Sequence, residues 1–355
     1  MEEWKRLEFE YGKRLRESDS VERRSLYGEA YDRVSVLANA RFESDDPEQR
    51  TAGTNRTNVE AIAKLSQPTD DVLEIGCGRG YTCMNLAPHV RSVVGTDVST
   101  PVLDEARELM CERGLENVAI EQVGAFDLEE CFAPESFDVA VSIDVVEHLH
   151  PEDAWDHLEQ VFRLLRPGGR YMVFMPSRLN GPHDITQEEF PEAKAPLGFH
   201  LNESTYGELG RTMEQIGYDQ LRSILWAKRE DGGLDRLVTL PLRASRYIES
   251  GYGVLPKALR KPVGRAGAVS VAVAPGASGS RIALAASAET RWSTCAAPTT
   301  DAAPWMSSPA NWRKKRRRPR SAPGSAPGSS SGAGAGTGAG SAPGAGGGPD
   351  SRSGV

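Results

Sequence analysis

The sequence predicts an α/β fold: a mostly parallel sheet with helices on both faces. Three observations carry that expectation. Short apolar runs at 72–75, 92–96, 118–123, 137–143 and 170–175 alternate with stretches of helical spacing. The first run passes straight into a glycine loop and then a helical pattern. Stop and start signals fall between the runs: Pro101 and Pro151 suit first-turn positions, and Pro167-Gly168-Gly169 makes a firm stop followed by a turn.

Taken in order, residues 1–68 are charged and helix-patterned. Trp4, Leu7, Tyr11 and Leu15 recur at helical spacing, and Leu26, Tyr27 and Tyr31 start a second amphipathic segment. This reads as an N-terminal helical cap packed across a neighbouring sheet edge. The acids between its apolar residues argue against a helix lying on a membrane. Residues 69–275 hold the α/β domain, with helices expected at 81–87, 101–113 and 152–165 between the five strands. Beyond them, 204–216 reads as a helix ended by Gly217, 221–227 as a strand, 230–265 as a helical insertion and 268–273 as a last strand. Residues 276–355 differ in kind. After Ser321 they are nearly all Gly, Ala, Ser and Pro, too poor in apolar surface to offset ordering entropy, so a disordered tail is expected. Out-of-frame translation of a GC-rich gene would explain the same change.

A chain of 355 residues with 39% hydrophobic and 7% aromatic content can build an ordinary core. The net charge of −8 is unevenly spread. Residues 276–355 hold ten Lys and Arg against three Asp and Glu, a charge of +7, which leaves −15 on residues 1–275. An acidic body disfavours a phosphate-backbone partner and suits a small or uncharged substrate, although a salty habitat gives the same acidity. The basic run 313–320, which would otherwise suggest nucleic acid, lies in the tail and reads as a solvated charge cluster. Cys77, Cys83, Cys111, Cys131 and Cys295 form no C-x-x-C pair and no zinc spacing, and an odd count without a framework fits reduced thiols. The acidic start Met1-Glu2-Glu3-Trp4-Lys5 is unlike a signal peptide, and no apolar run is long enough to cross a bilayer. The expectation is a cytoplasmic protein with no membrane partner.

The chemistry is concentrated in Val72-Leu73-Glu74-Ile75-Gly76-Cys77-Gly78-Arg79-Gly80-Tyr81. Glycines at 76, 78 and 80 let backbone approach a ligand closely and tolerate positive φ. The helix that follows offers free N–H groups. A dinucleotide fingerprint needs Gly or Ala at the sixth place, where Tyr81 stands. A second signal follows about twenty residues later: Val93-Val94-Gly95-Thr96-Asp97 is an apolar strand ending in a carboxylate that can accept from both ribose hydroxyls of a nucleoside.

From Val72 to Ser177 the chain resembles the core of class I S-adenosylmethionine-dependent methyltransferases, in the group that includes small-molecule and quinone-type enzymes. The likeness rests on the glycine loop, Asp97 and Gly124-Ala125-Phe126-Asp127-Leu128. It rests also on Ser136-Phe137-Asp138-Val139-Ala140-Val141-Ser142, Val146-Glu147-His148-Leu149 and Leu165-Arg166-Pro167-Gly168-Gly169. The resemblance implies a Rossmann-like, mostly parallel seven-stranded sheet ending in an antiparallel hairpin, with S-adenosyl-L-methionine as cofactor. It implies that Gly76, Cys77 and Gly78 contact the methionine end and that Glu74 orients its ammonium. Asp97 would bind the ribose, Val98 would lie on one adenine face, Ala125 and Phe126 on the other, and Asp127 near the adenine amino group. Ile143 would stand beside the methyl-donating sulfur. The implied function is methyl transfer to a small-molecule acceptor. The rivals are an NAD(P)-dependent oxidoreductase and a methyltransferase-like binding module without turnover.

Asp144-x-x-Glu147-His148 follows the fourth strand, where an acceptor would approach. His148 reads as a general base, as a metal ligand with Asp144, Glu147 and His183 or His200, or as a buried scaffold histidine. Neighbouring acids favour the protonated ring unless burial offsets them, which argues for the scaffold. No motif assigns a catalytic residue, a metal set, the acceptor or the oligomeric state.

Overall fold

A computed structural model describes residues 1–42, 56–179, 181–229 and 233–253. Two N-terminal helices, α1 (Glu3–Glu17) and α2 (Ser20–Phe42), precede α3 (Arg56–Leu65). The core then runs β1 (Asp71–Ile75), α4 (Tyr81–Leu86), β2 (Ser92–Asp97), α5 (Thr100–Arg113), β3 (Val118–Gln122), α6 (Leu128–Cys131), β4 (Phe137–Ile143), α7 (Pro151–Leu164) and β5 (Leu165–Phe174). After a long loop holding α8 (Thr186–Glu189) come α9 (Tyr206–Ile216), β6 (Arg222–Lys228), β7 (Leu234–Pro241) and α10 (Leu242–Gly253).

The five core strands pair in parallel in the order β3-β2-β1-β4-β5. Their near-continuous apolar runs follow from burial on both faces. Val72, Val93, Val139 and Met172 turn to one cluster with α3, α4 and α5; Leu73, Val94, Ala140 and Val173 turn to the other, with α1, α2, α7 and α9. Strand order reverses at β1 and β4, so the crevice outside their carboxyl ends is where a ligand fits such a sheet.

Two expectations change. The stretch expected as a helical insertion at 230–265 contains strand β7, and helix begins only at Leu242. Leu237, Val238 and Thr239 carry no helical period, and pairing with β6, Trp226 opposite Leu237, decides their state. Seven strands exist among the described residues, but β6 and β7 form their own antiparallel pair rather than extending the sheet; Trp226 ties that pair to the sheet through Phe174, centroids 5.6 Å apart. Helix α2 crosses the loops at the carboxyl ends of the strands, with Tyr27 on Phe126, Arg24 on Asp127 and Arg23 on Asp153. The last strand expected at 268–273 and the tail at 276–355 lie outside the described residues. No helix among the described residues is long and apolar enough to cross a membrane.

Candidate functional site

A cavity of about 320 Å³ opens at the carboxyl ends of β1, β2 and β4. Its floor is the glycine loop. Gly76, Gly78 and Gly80 all have positive φ, 70°, 50° and 72°, a conformation that costs a side-chain-bearing residue roughly 1–2 kcal/mol. A side chain at Gly76 would overlap Val145, whereas one at Gly78 would meet nothing within 4 Å. The peptide at Gly78 therefore faces open space. The loop is tethered by the Cys77 N–H to the Thr96 carbonyl, 2.9 Å, and by Gly78 N–H to Asp97 Oδ2, 2.9 Å. Asp97 also accepts the Ser99 N–H on Oδ1, 3.0 Å. Each oxygen keeps acceptor capacity toward the cavity. Burial raises the Asp97 pKa.

Glu74 lies on β1 at 2% exposure and lines the cavity wall. Its Oε2 accepts from the Cys83 thiol, 2.8 Å. Burial lifts its pKa to about 7, the Asp97 charge adding and the Cys83 and Thr82 hydrogen bonds opposing. Of the residues singled out in the sequence, Glu74, Gly76, Cys77, Gly78, Asp97 and Ile143 line the cavity. Val98, Ala125, Phe126 and Asp127 do not. Phe126 is buried under Tyr27 with Arg24 over its ring, Asp127 pairs with Arg24 at 2.7 Å, and the Ala125 carbonyl meets His157 Nδ1 at 2.6 Å. Tyr31, Arg79, Tyr81, Thr82, Ser99 and Val102 complete the lining. Arg79 and Tyr81 stand inside the glycine motif and were legible there; Tyr31 comes from α2, with no motif around it.

The arrangement suits an adenosyl amino acid. The glycine loop leaves room for backbone approach, Asp97 is a carboxylate acceptor at a strand end, and Glu74 is a buried acid on the cavity wall. S-Adenosylmethionine has donors for both acids, and the residues present fit it.

Beyond β4 the chain turns sharply. Asp144 takes φ 54°, its N–H bonded to the Phe174 carbonyl at 2.8 Å, and a short 3₁₀ turn presents Glu147 and His148. The Glu147 carbonyl accepts the N–H groups of Leu201 and Asn202, 2.7 and 2.9 Å, which docks the 183–203 loop. Helix α1 holds that loop from outside: Arg16 donates to the carbonyls of Pro196, Leu197, Gly198 and His200 at 2.7–3.2 Å. His200 thereby stands edge-on to His148, ring centroids 4.7 Å apart, and His148 edge-on to Tyr31 at 6.0 Å. Burial drives the His148 pKa well below its ordinary value, His200 adding to the effect. The acids of its turn, expected to favour protonation, lose to desolvation.

The model of a methyltransferase domain family matches residues 72–169, the segment that builds this cavity. A probable S-adenosylmethionine-dependent methyltransferase of Mycolicibacterium smegmatis is 34% identical over 154 residues, covering 42% of this chain and 52% of that protein; the chain thus spans about half of that relative's length. A 2-heptyl-1-hydroxyquinolin-4(1H)-one methyltransferase of Mycobacteroides abscessus is 26% identical, covering 42% and 71%. The aklanonic acid methyltransferase DauC of a Streptomyces species is 31% identical over 182 residues, covering 45% of this chain and 81% of that protein. Identity at that level across four-fifths of a relative's length, together with the domain model over residues 72–169, establishes that the chain belongs to the class I S-adenosylmethionine-dependent methyltransferases.

Proposed function

We propose that the protein transfers a methyl group from S-adenosylmethionine to a small-molecule acceptor that enters between the end of β4 and helix α2. The cavity formed by the glycine loop with Asp97 and Glu74 carries this reading. The bound cofactor supplies a methyl group on an electrophilic sulfonium. The protein's task is positioning, which by itself lowers a barrier by several kcal/mol, on the order of 7–11 at best. Asp97 accepts from the ribose hydroxyls, Glu74 faces the ammonium, and the Gly76-Cys77-Gly78 peptides lie against the methionine end. Ile143, only 8% exposed at the end of β4, helps exclude water where the acceptor arrives. Relatives named for a hydroxyquinolinone and for aklanonic acid support a small organic acceptor, and the −15 charge on residues 1–275 disfavours a nucleic acid. Incubating the protein with methyl-labelled cofactor and fractionated metabolite extract tests the proposal. Label should appear in a small organic product; the absence of both transfer with every fraction and S-adenosylhomocysteine binding would overturn it.

A further inference from the structure

We infer that Cys77 and Cys83 are a redox-sensitive pair, whose oxidation to a disulfide shuts the glycine-loop cavity to its ligand. Cys77 stands on the glycine loop and lines the cavity, and Cys83 lies on the first turn of α4 behind it. Their sulfurs are in hydrogen-bond contact. Gly95, in the middle of β2, shows how closely they pack. A Cβ at Gly95 would stand 2.7 Å from Cys83 Sγ and 2.9 Å from Cys77 Sγ. Glycine weakens a strand interior and marks a close approach there. Here the notch it leaves is filled by the two sulfurs, whereas Cys111 and Cys131 are exposed.

Oxidation by hydrogen peroxide balances without any further group. The Cys77 sulfur, 7% exposed and reached through the cavity, attacks one peroxide oxygen. The O–O bond breaks, a sulfenic acid forms, and the thiol proton leaves with the departing oxygen as water. Cys83 then attacks the sulfenyl sulfur; the S–S bond forms, and the expelled hydroxide takes the Cys83 proton to become a second water. Each sulfur gives up one electron and the peroxide takes two. Glu74 Oε2, which accepts from the Cys83 thiol at 2.8 Å, is placed to pass that proton. Contact with Cys83 lowers the Cys77 pKa, but burial and the Glu74 and Asp97 charges outweigh it, and burial drives Cys83 well above its ordinary value. Thiolate is scarce in both, so the pair answers to oxidative load rather than to trace peroxide.

The bond would act on the cavity through the loop. Disulfide sulfurs sit about 2 Å apart, closer than any thiol–thiol contact. Closing that gap draws the Cys77 peptide toward α4, and the loop has little slack. The Cys77 N–H is held by the Thr96 carbonyl, the Gly78 N–H by Asp97, and Gly76 backs onto Val145. The new bond also takes Cys83 from Glu74. Ligand binding and oxidation therefore oppose each other, and by linkage each suppresses the other. That coupling rests on the cofactor reading above, whereas formation of the bond does not.

The test treats reduced full-length protein with hydrogen peroxide, with and without saturating S-adenosylhomocysteine, and maps the tryptic peptides after the remaining thiols are capped. Cleavage after Arg79 separates the two cysteines, Cys77 falling in residues 65–79 and Cys83 in residues 80–91. The disulfide therefore appears as those two peptides joined, and dithiothreitol parts them. The joined pair should grow with peroxide dose and be suppressed by S-adenosylhomocysteine. Oxidised protein should bind S-adenosylhomocysteine about tenfold more weakly or worse, as for a lost hydrogen bond to the ligand, and dithiothreitol should restore it. Cys83→Ser keeps a hydroxyl donor for Glu74 and should bind equally before and after peroxide. No joined peptides at a dose that fully oxidises Cys111 and Cys131 would overturn the inference, as would joined peptides with unchanged affinity. A Cys83→Ser variant that loses affinity on oxidation as the wild type does would overturn it too. A crosslink in protein that never binds S-adenosylhomocysteine when reduced would instead overturn the methyltransferase reading alone.

Discussion

Asp97→Ala should weaken S-adenosylhomocysteine binding and loosen the glycine loop, and the two effects can be separated. In the free protein Asp97 accepts two backbone N–H groups, from Gly78 at 2.9 Å and Ser99 at 3.0 Å. Hydrogen bonds to a charged group contribute roughly 1.5–3 kcal/mol each. For two bonds to a carboxylate that water can partly reach, twice that range is an upper limit on the stability loss. In the proposed complex the same carboxylate would take the ribose hydroxyls as well, a further charge-assisted contact of roughly 1.5–3 kcal/mol. At 1.4 kcal/mol per tenfold, this is a Kd about 10- to 150-fold higher. Asp97→Asn keeps the shape but turns an amide donor toward one of those N–H groups, so its loss should be intermediate. Isothermal calorimetry gives the affinity, and urea denaturation without ligand gives the stability. Equal affinity in wild type and Asp97→Ala would refute the ribose assignment, and tight NADH binding by the wild type would favour an oxidoreductase.

Three more outcomes follow from the geometry. Glu74 has its pKa raised by burial from 4.5 to about 7, so the native state holds an extra proton between those values. Stability should therefore fall by on the order of 3 kcal/mol as pH rises from about 4.5 to 7 and change little above, since one unit is 1.36 kcal/mol. Glu74→Gln should flatten that slope in denaturant titrations. Because the ligand's ammonium favours ionised Glu74, wild-type affinity for S-adenosylhomocysteine should climb toward pH 7, with proton release seen as buffer-dependent heat; a flat profile would count against the pairing. Arg23 is 2% exposed, with its Nε 2.7 Å from Asp153 Oδ2, the same oxygen that accepts from Tyr27. Arg23→Ala strands the Asp153 charge and should cost about 3–5 kcal/mol in chemical denaturation, and Arg23→Met with Asp153→Leu much less. Finally, a Cβ at Gly12 would overlap the Gly198 carbonyl, a backbone clash that no rotamer relieves. Gly12→Ala should lower the melting temperature by an amount equivalent to about 1–3 kcal/mol, and an unchanged Tm would contradict the docking of α1 on the 183–203 loop.

The sheet and the cofactor loop were legible because their signals are local. A buried strand, a glycine turn and a helix start fall within ten residues, and Asp97 closes the next strand. The residues that escaped are brought in by long-range packing. Tyr31 reaches the cavity from α2, and Glu203, which meets His200 Nδ1, arrives on a loop held by Arg16, 180 or more residues away in sequence from the carbonyls it binds. The β7 strand escaped for another reason: with one partner strand and mixed exposure it shows neither a two-residue nor a helical period. Phe126 and Asp127 were rightly placed on the loop after β3, but their partners on α2 belong to this chain's own cap and could not be read from the motif.

The most direct measurement is a crystal structure of the full chain with S-adenosylhomocysteine. The ligand should lie in the cavity above Gly78, with its ribose hydroxyls on Asp97 and its amino group facing Glu74. Ligand density elsewhere on the protein, or an empty glycine-loop cavity at saturating concentration, would contradict the account.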